Sequence, residues 1–108
     1  MAWKKSSPAA VRRFDDLAAV EGADRRVLFG CPCYVLGEER YATLYEERFV
    51  LRLSPTDAAE LLAKGGVAFE PIKGRRSKRD RVVVPVALAA NTRSLKAWLR
   101  RAVAYARG

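Results

Sequence analysis

Apolar and polar residues alternate in short blocks along the middle of the chain, between Leu28 and Leu53. A period of two is typical of a strand with one buried face, and polar breaks between such runs are typical of turns in an antiparallel meander. We expect these turns at Gly37–Glu39 and Glu46–Arg48. The pattern therefore predicts three antiparallel strands in immediate succession, beginning near Arg26.

One helix is predicted before this meander and one after it. Ser7-Pro8 and Ser54-Pro55 each place a capping serine before a proline, which is pre-set for the first turn of a helix. The first helix is expected to run to about Glu21, before Gly22, and the second to end at Lys64, before two glycines. Both helices carry an apolar face that can cover the sheet.

The last third of the chain predicts two further strands and a long helix. Short β-rich runs lie at Val67–Pro71 and Val82–Val84, and a helical turn is expected at Val86–Ala90. Asn91 or Thr92 then caps a final helix whose apolar residues recur at three- and four-residue spacing. The whole order, α-β-β-β-α-β-β-α, predicts an α+β fold of two layers, with the helices packed on one face of an antiparallel sheet.

Length and composition favour one small cytoplasmic domain. The chain has 108 residues, half of them hydrophobic, which fits a single domain over residues 1–108. No apolar run approaches the roughly 18–20 residues that a bilayer span requires, so we expect no membrane contact. Cys31 and Cys33 are the two cysteines, too few for a secreted disulfide framework. We therefore expect a soluble protein in a reducing compartment.

Positive charge is concentrated in one segment. The net charge is +9, and the run KGRRSKRDR over residues 73–81 alone contributes +5. We call its six cations the basic stretch: Lys73, Arg75, Arg76, Lys78, Arg79 and Arg81. Such a cluster suits a nucleic-acid backbone and predicts weak, non-specific binding. The alternative is a solvated loop that aids solubility, since the segment lacks aromatic residues on which bases would stack.

Cys31 and Cys33 are the candidate residues for metal or redox chemistry. Residues two apart on a strand point to the same face, so the two thiols lie side by side. A closed zinc site would need two protomers sharing four cysteines, because the chain has no histidine. A redox role would need a lowered thiol pKa, and Arg25 or Arg26 would be the nearby positive charge that lowers it. The simpler interpretation is two small buried hydrophobic residues, with no metal or other cofactor.

Catalytic signatures are missing from the sequence. Without histidine the commonest general base and the Ser/His/Asp and Cys/His arrangements are excluded. Lys73 lies outside any Walker-type loop. The acidic pairs, of which Asp15-Asp16 is the first, are interpreted as solvated charges. We therefore expect a protein that is not an enzyme and has no catalytic residues.

Short motifs along the chain resemble the TfoX/Sxy N-terminal domain family. The resemblance rests on Leu28-Phe29-Gly30, Cys31-Pro32-Cys33, Tyr41-Ala42, Phe49–Leu53, Phe69-Glu70-Pro71, Val82–Pro85 and Ala97-Trp98-Leu99. It covers nearly the whole chain and indicates a stand-alone, single-domain member. It implies a two-layer fold like that of secretion chaperones, a homodimer, and a role like that of competence regulators, which promote transcription. The expected partners are a regulatory protein, a second copy of the chain or nucleic acid.

Overall fold

A computed structural model of the protein describes residues 6–69 and 80–108. The helices in this part are α1 (Pro8–Ala18), α2 (Pro55–Ala63), α3 (Val86–Ala90) and α4 (Thr92–Arg107). The strands are β1 (Asp24–Leu28), β2 (Cys31–Leu36), β3 (Glu39–Tyr45), β4 (Arg48–Arg52), β5 (Val67–Ala68) and β6 (Arg81–Val83). None of these helices has both the length and the apolar character needed to cross a membrane.

The strands form one antiparallel sheet in the order β1-β2-β3-β4-β6-β5. One row of paired residues faces the helices and belongs to the core: Tyr34, Ala42, Leu51 and Val82. The neighbouring row points the other way: Cys33, Thr43, Val50 and Val83. We call this second side of the sheet the outer face. The predicted α+β fold with two layers is confirmed.

Side-chain caps fix where three of the helices begin. Ser7, Ser54 and Asn91 each accept a hydrogen bond from the backbone N–H three residues later, at 3.1 to 3.2 Å. These bonds satisfy donors that the first turn of a helix leaves unpaired. Of the two caps considered for α4, the structure selects Asn91.

Aromatic residues join α1 to the sheet. The ring of Phe14 on α1 lies 5.5 Å from the rings of both Tyr34 and Phe49, measured between centroids. Tyr41 on β3 is completely buried and its hydroxyl donates to the carbonyl oxygen of Ala18 at 2.6 Å. The end of α1 is therefore tied to the middle of the sheet by both packing and a buried hydrogen bond.

The meander has four strands, so the prediction of three was one too few. All five residues of β1 are exposed, and its sequence therefore lacks the alternation that reveals a half-buried strand. Phe29-Gly30 is the two-residue turn between β1 and β2. Both residues have positive φ, 53° and 78°, as in a type I′ hairpin turn.

Three other boundaries differ from the sequence prediction. Helix α1 ends at Ala18, three residues early, because Ala19 is already extended. The chain then turns at Glu21-Gly22, where Gly22 has a φ of 87°. The strand expected over residues 67–71 is observed as Val67–Ala68, and residues 70–79 lie outside the described part. The last strand begins at Arg81, one residue earlier than expected.

Candidate nucleic-acid interface

Arg81 is the one member of the basic stretch within the described residues. Lys73, Arg75, Arg76, Lys78 and Arg79 lie outside them, so their predicted contact with nucleic acid stays a prediction. Arg81 opens β6 on the outer face and is partly buried. It lines a small pocket of about 90 Å³ together with Arg40 and Thr43 of β3 and Cys31 of β2. The sheet thus carries one end of the basic stretch onto its outer face.

Arg40 and Arg81 place two positive charges on the same pocket. Burial lowers the pKa of the Arg81 guanidinium, and the charge of Arg40 lowers that pKa further. Asp80 and Glu39 act in the opposite direction. A lowered pKa means that the charged form of Arg81 is disfavoured where it sits. An anion bound between the two guanidinium groups would offset both the desolvation and the repulsion.

Arg52 binds the carboxylates that border this pair of arginines. It lies 3.1 Å from the carboxylate of Glu39 and 3.0 Å from that of Asp80, with its guanidinium 4.7 Å from the ring centroid of Tyr105. These contacts fix Arg52 at the end of β4. Both acids are therefore already engaged by an ion pair, which limits how far they neutralise Arg40 and Arg81.

Aromatic rings border the same pocket, although the basic stretch itself contains none. Tyr45 and Phe69 meet edge to face with their ring centroids 5.3 Å apart, and both line the pocket with Arg40 and Arg81. Sequence reasoning missed Arg40, Tyr45 and Phe69 as candidate site residues. The strand register gathers them. Val35 pairs with Arg40 and Tyr34 with Ala42, so β3 has a bulge there. Arg40 therefore shares the outer face with Arg81. Strict alternation along β3 would have put Arg40 on the core face with Ala42, so the sequence held no signal for it.

Cys31 and Cys33 lie next to this pocket as buried, unlinked thiols. Burial raises the pKa of both, and for Cys33 it outweighs the opposite effect of Arg40, Arg26 and Arg25. Thiols held in the protonated form are poor nucleophiles and poor metal ligands. Across residues 6–69 and 80–108, no three potential metal-binding side chains come together. The structure gives the redox or zinc alternative no support.

Asp15 departs from its interpretation as a solvated charge. Its Oδ1 accepts hydrogen bonds from Arg25 Nε and from the Tyr34 hydroxyl, both at 2.8 Å. Burial alone would raise the pKa of Asp15, but the hydrogen bonds from Arg25 and Tyr34 together lower it. The carboxylate thus joins α1 to β1 and β2, and its role is structural.

Comparison with known proteins gives one family match. The sequence profile of the TfoX N-terminal domain matches residues 15–106. The matched segment begins inside α1 and ends one residue before the end of α4, so it takes in both layers of the fold. No curated protein and no solved structure was found to match the chain.

Proposed function

The chain belongs to the TfoX N-terminal domain family, and from this premise we propose that it is a regulatory domain that works by binding and catalyses no reaction. The family takes its name from regulators of natural competence, which supports a role in gene regulation. We place this role in the cytoplasm, where reducing conditions keep Cys31 and Cys33 as thiols. Turnover of a substrate that is abolished by truncating one side chain would contradict the non-enzymatic assignment.

We further propose that the outer face contacts the phosphates of a nucleic acid through Arg40, Arg81 and the basic stretch. The observation that carries this proposal is the pairing of Arg40 with a partly desolvated Arg81 in one pocket. Arginine presents a planar fork of donors that matches phosphate oxygens. Contacts of this kind bind without reading sequence, so weak and non-specific binding is expected.

Fluorescence anisotropy with a labelled duplex of about 20 base pairs tests this proposal, with a Kd of roughly 10⁻⁴ to 10⁻⁶ M expected at physiological salt. The logarithm of the affinity should fall linearly with the logarithm of the salt concentration, by about 0.9 per phosphate contacted. The double variant Arg40→Ser/Arg81→Ser should lower both the affinity and this slope. Replacing Arg75, Arg76, Lys78 and Arg79 with serine should do the same.

Exposed arginines of the helical layer provide the matched control. Arg12→Ser/Arg93→Ser removes the same net charge as Arg40→Ser/Arg81→Ser, but from α1 and α4. A slope that falls equally in both double variants would assign binding to overall charge and would contradict an interface on the outer face. Thermal unfolding of each variant verifies that it is folded.

Homodimer formation is the second part of the proposal. The family resemblance supports it, and so does β1, which lies at one edge of the sheet with all five residues exposed. Val27 is 57% exposed and Leu28 is 38% exposed on this strand. An edge strand is the natural place for a second copy to extend a sheet. Pairing along β1 would cover both apolar side chains.

A further inference from the structure

A groove lies in the helical layer between the end of α1 and residues 96–107 of α4. Its volume is about 500 Å³, and most of its lining is apolar. Leu99 and Val103 of α4 form a floor that is more than nine-tenths buried, while Leu17 and Val20 form the opposite wall. The groove lies in the helical layer, so the proposed nucleic-acid contact on the outer face does not use it.

Every charged residue that lines the groove is a cation. These residues are Lys96, Arg100 and Arg107, and none of the described lining residues is acidic. Their spacing of four and seven residues puts them along one side of α4, over about 16 Å of helix. Arg107 also donates to the carbonyl oxygen of Glu21 at 3.1 Å, which holds it at one end of the groove.

We propose that this groove binds an acidic amphipathic helix of a regulatory protein partner. A helix of about three turns matches the 16 Å cationic stripe, and its apolar residues at i, i+3 or i+4 and i+7 would enter the groove. Its carboxylates would meet Lys96, Arg100 and Arg107. This pairing of an apolar floor with cations on one side is the complement of an amphipathic helix with an acidic flank.

Two other occupants fit the groove less well. A fatty acid has one carboxylate and engages one end of a stripe that carries three cations. A second copy would have to supply an acidic helix. Of the described helices, α1 and α2 carry carboxylates, and those of α1 are offset by Arg12 and Arg13 in the same helix. Arg101 already lies 3.3 Å from Asp57 and 3.1 Å from Glu60 of α2. Those acids are committed to an ion pair with α4 of their own chain.

A set of labelled synthetic helices tests the proposal. Each peptide has about 18 residues, long enough for a helical fold to be populated. The first group combines a leucine stripe with glutamate elsewhere, the second replaces glutamate with lysine, and the third scatters the same leucines and glutamates around the helix. Binding of each peptide to the full chain is measured by fluorescence anisotropy, with dodecanoate as a competitor. We expect the first group alone to bind.

Charge reversal in the groove identifies the site. Lys96→Glu/Arg100→Glu should weaken binding of the acidic helices by about tenfold or more, and Ala104→Glu should also weaken it. The matched controls are Arg12→Glu/Arg93→Glu and Ala97→Glu, which place the same charges on exposed positions outside the groove. These controls should change the affinity by less than about threefold.

Several results would overturn the proposal. One is equal binding by the lysine or scattered helices, and another is no binding by any acidic helix up to about 1 mM. Equal loss of affinity in the groove variants and their controls would show that binding follows net charge. If dodecanoate binds more tightly than the acidic helix and displaces it, the groove is a lipid site. A dimer that Ala104→Glu dissociates would identify a second copy as the occupant.

Discussion

Tyr41 joins the two layers through a buried hydrogen bond. Its ring is completely buried on β3, and its hydroxyl donates to the carbonyl oxygen of Ala18. That carbonyl lies at the end of α1, where the helix leaves its last acceptors without a partner of its own. Burial raises the pKa of Tyr41 to about 12. The folded protein therefore favours the neutral phenol of Tyr41 over the charged phenolate.

Replacing Tyr41 with phenylalanine should lower the free energy of unfolding by about 1–2 kcal/mol, because the Ala18 carbonyl then stays buried and unpaired. Urea unfolding at neutral pH measures this difference. Tyr105→Phe is the control, since Tyr105 is partly exposed and its ring keeps its contact with Arg52. Equal stability of Tyr41→Phe and the unsubstituted chain would show that the buried hydrogen bond contributes nothing.

The pKa of Tyr41 also gives a pH dependence with a definite sign. The folded value of about 12 exceeds the ordinary tyrosine pKa of 10.0 that holds in the unfolded chain. The contribution of the phenol is fully present below pH 10 and is lost as the pH rises towards 12. Tyr41→Phe lacks this contribution, so its stability should fall less steeply over that interval. Parallel curves for the two proteins would contradict the raised pKa.

At the scale of helices and strands, features encoded within a few residues could be predicted from the sequence. Ser7, Ser54 and Asn91 cap their helices as expected, because a cap depends on the next three residues alone. The alternation of Phe49 and Leu51 gave the core-facing side of β4, although Val50 on the outer face is buried as well. Local chemistry was sufficient for these elements, and the layer arrangement followed from their order.

Features created by pairing between distant segments could not be predicted in the same way. Strand β1 is exposed throughout, so only its pairing with β2 reveals it. For the candidate site, the charge density of the basic stretch singled out Arg81, whose contact with nucleic acid stays a prediction. Arg40 stands alone between polar and aromatic neighbours in the sequence. It becomes part of the pocket only because the strand register puts its side chain and that of Arg81 on the same face of the sheet. Register is a property of the folded sheet.

Gly66 shows that a local interpretation can be incomplete even where the element is right. We interpreted Gly65-Gly66 as the end of α2, which is correct for the helix boundary. A Cβ on Gly66, however, would lie 2.8 Å from Val82 Cγ1 and 2.9 Å from the carbonyl oxygen of Leu61. Gly66 is therefore required because the chain passes closely over β6.

Gly66→Ala should lower the free energy of unfolding by about 1–3 kcal/mol, because the added methyl group overpacks this contact. The sign is informative: where a glycine has an ordinary φ and open space, the same substitution stabilises a protein by about 0.4–1 kcal/mol. Gly66 has no left-handed φ, so steric contact alone decides the result. Thermal or urea unfolding gives the answer, and a stabilised variant would show that Val82 and Leu61 move aside.

At the scale of the whole molecule, positive charge is distributed over both layers. Arg40 and Arg81 mark the outer face of the sheet, while Lys96 and Arg100 mark the groove in the helical layer. Beyond the basic stretch, whose segment contributes +5 of the net +9, cations therefore lie on two separate surfaces. A domain with this arrangement can hold two anionic partners at once, so the two proposed contacts are compatible.

The edge formed by β1 gives the last prediction, which concerns the assembly. If two copies pair along this edge, light scattering should report twice the chain mass of 12.0 kDa. Val27→Lys should then shift the mass towards that of one chain, because an exposed edge valine becomes a charge that opposes strand pairing. Val86→Lys is the matched control: Val86 is 63% exposed, close to the 57% of Val27, but lies on α3. A mass of 12.0 kDa at every concentration would exclude the dimer, and equal dissociation by both variants would move the contact away from β1.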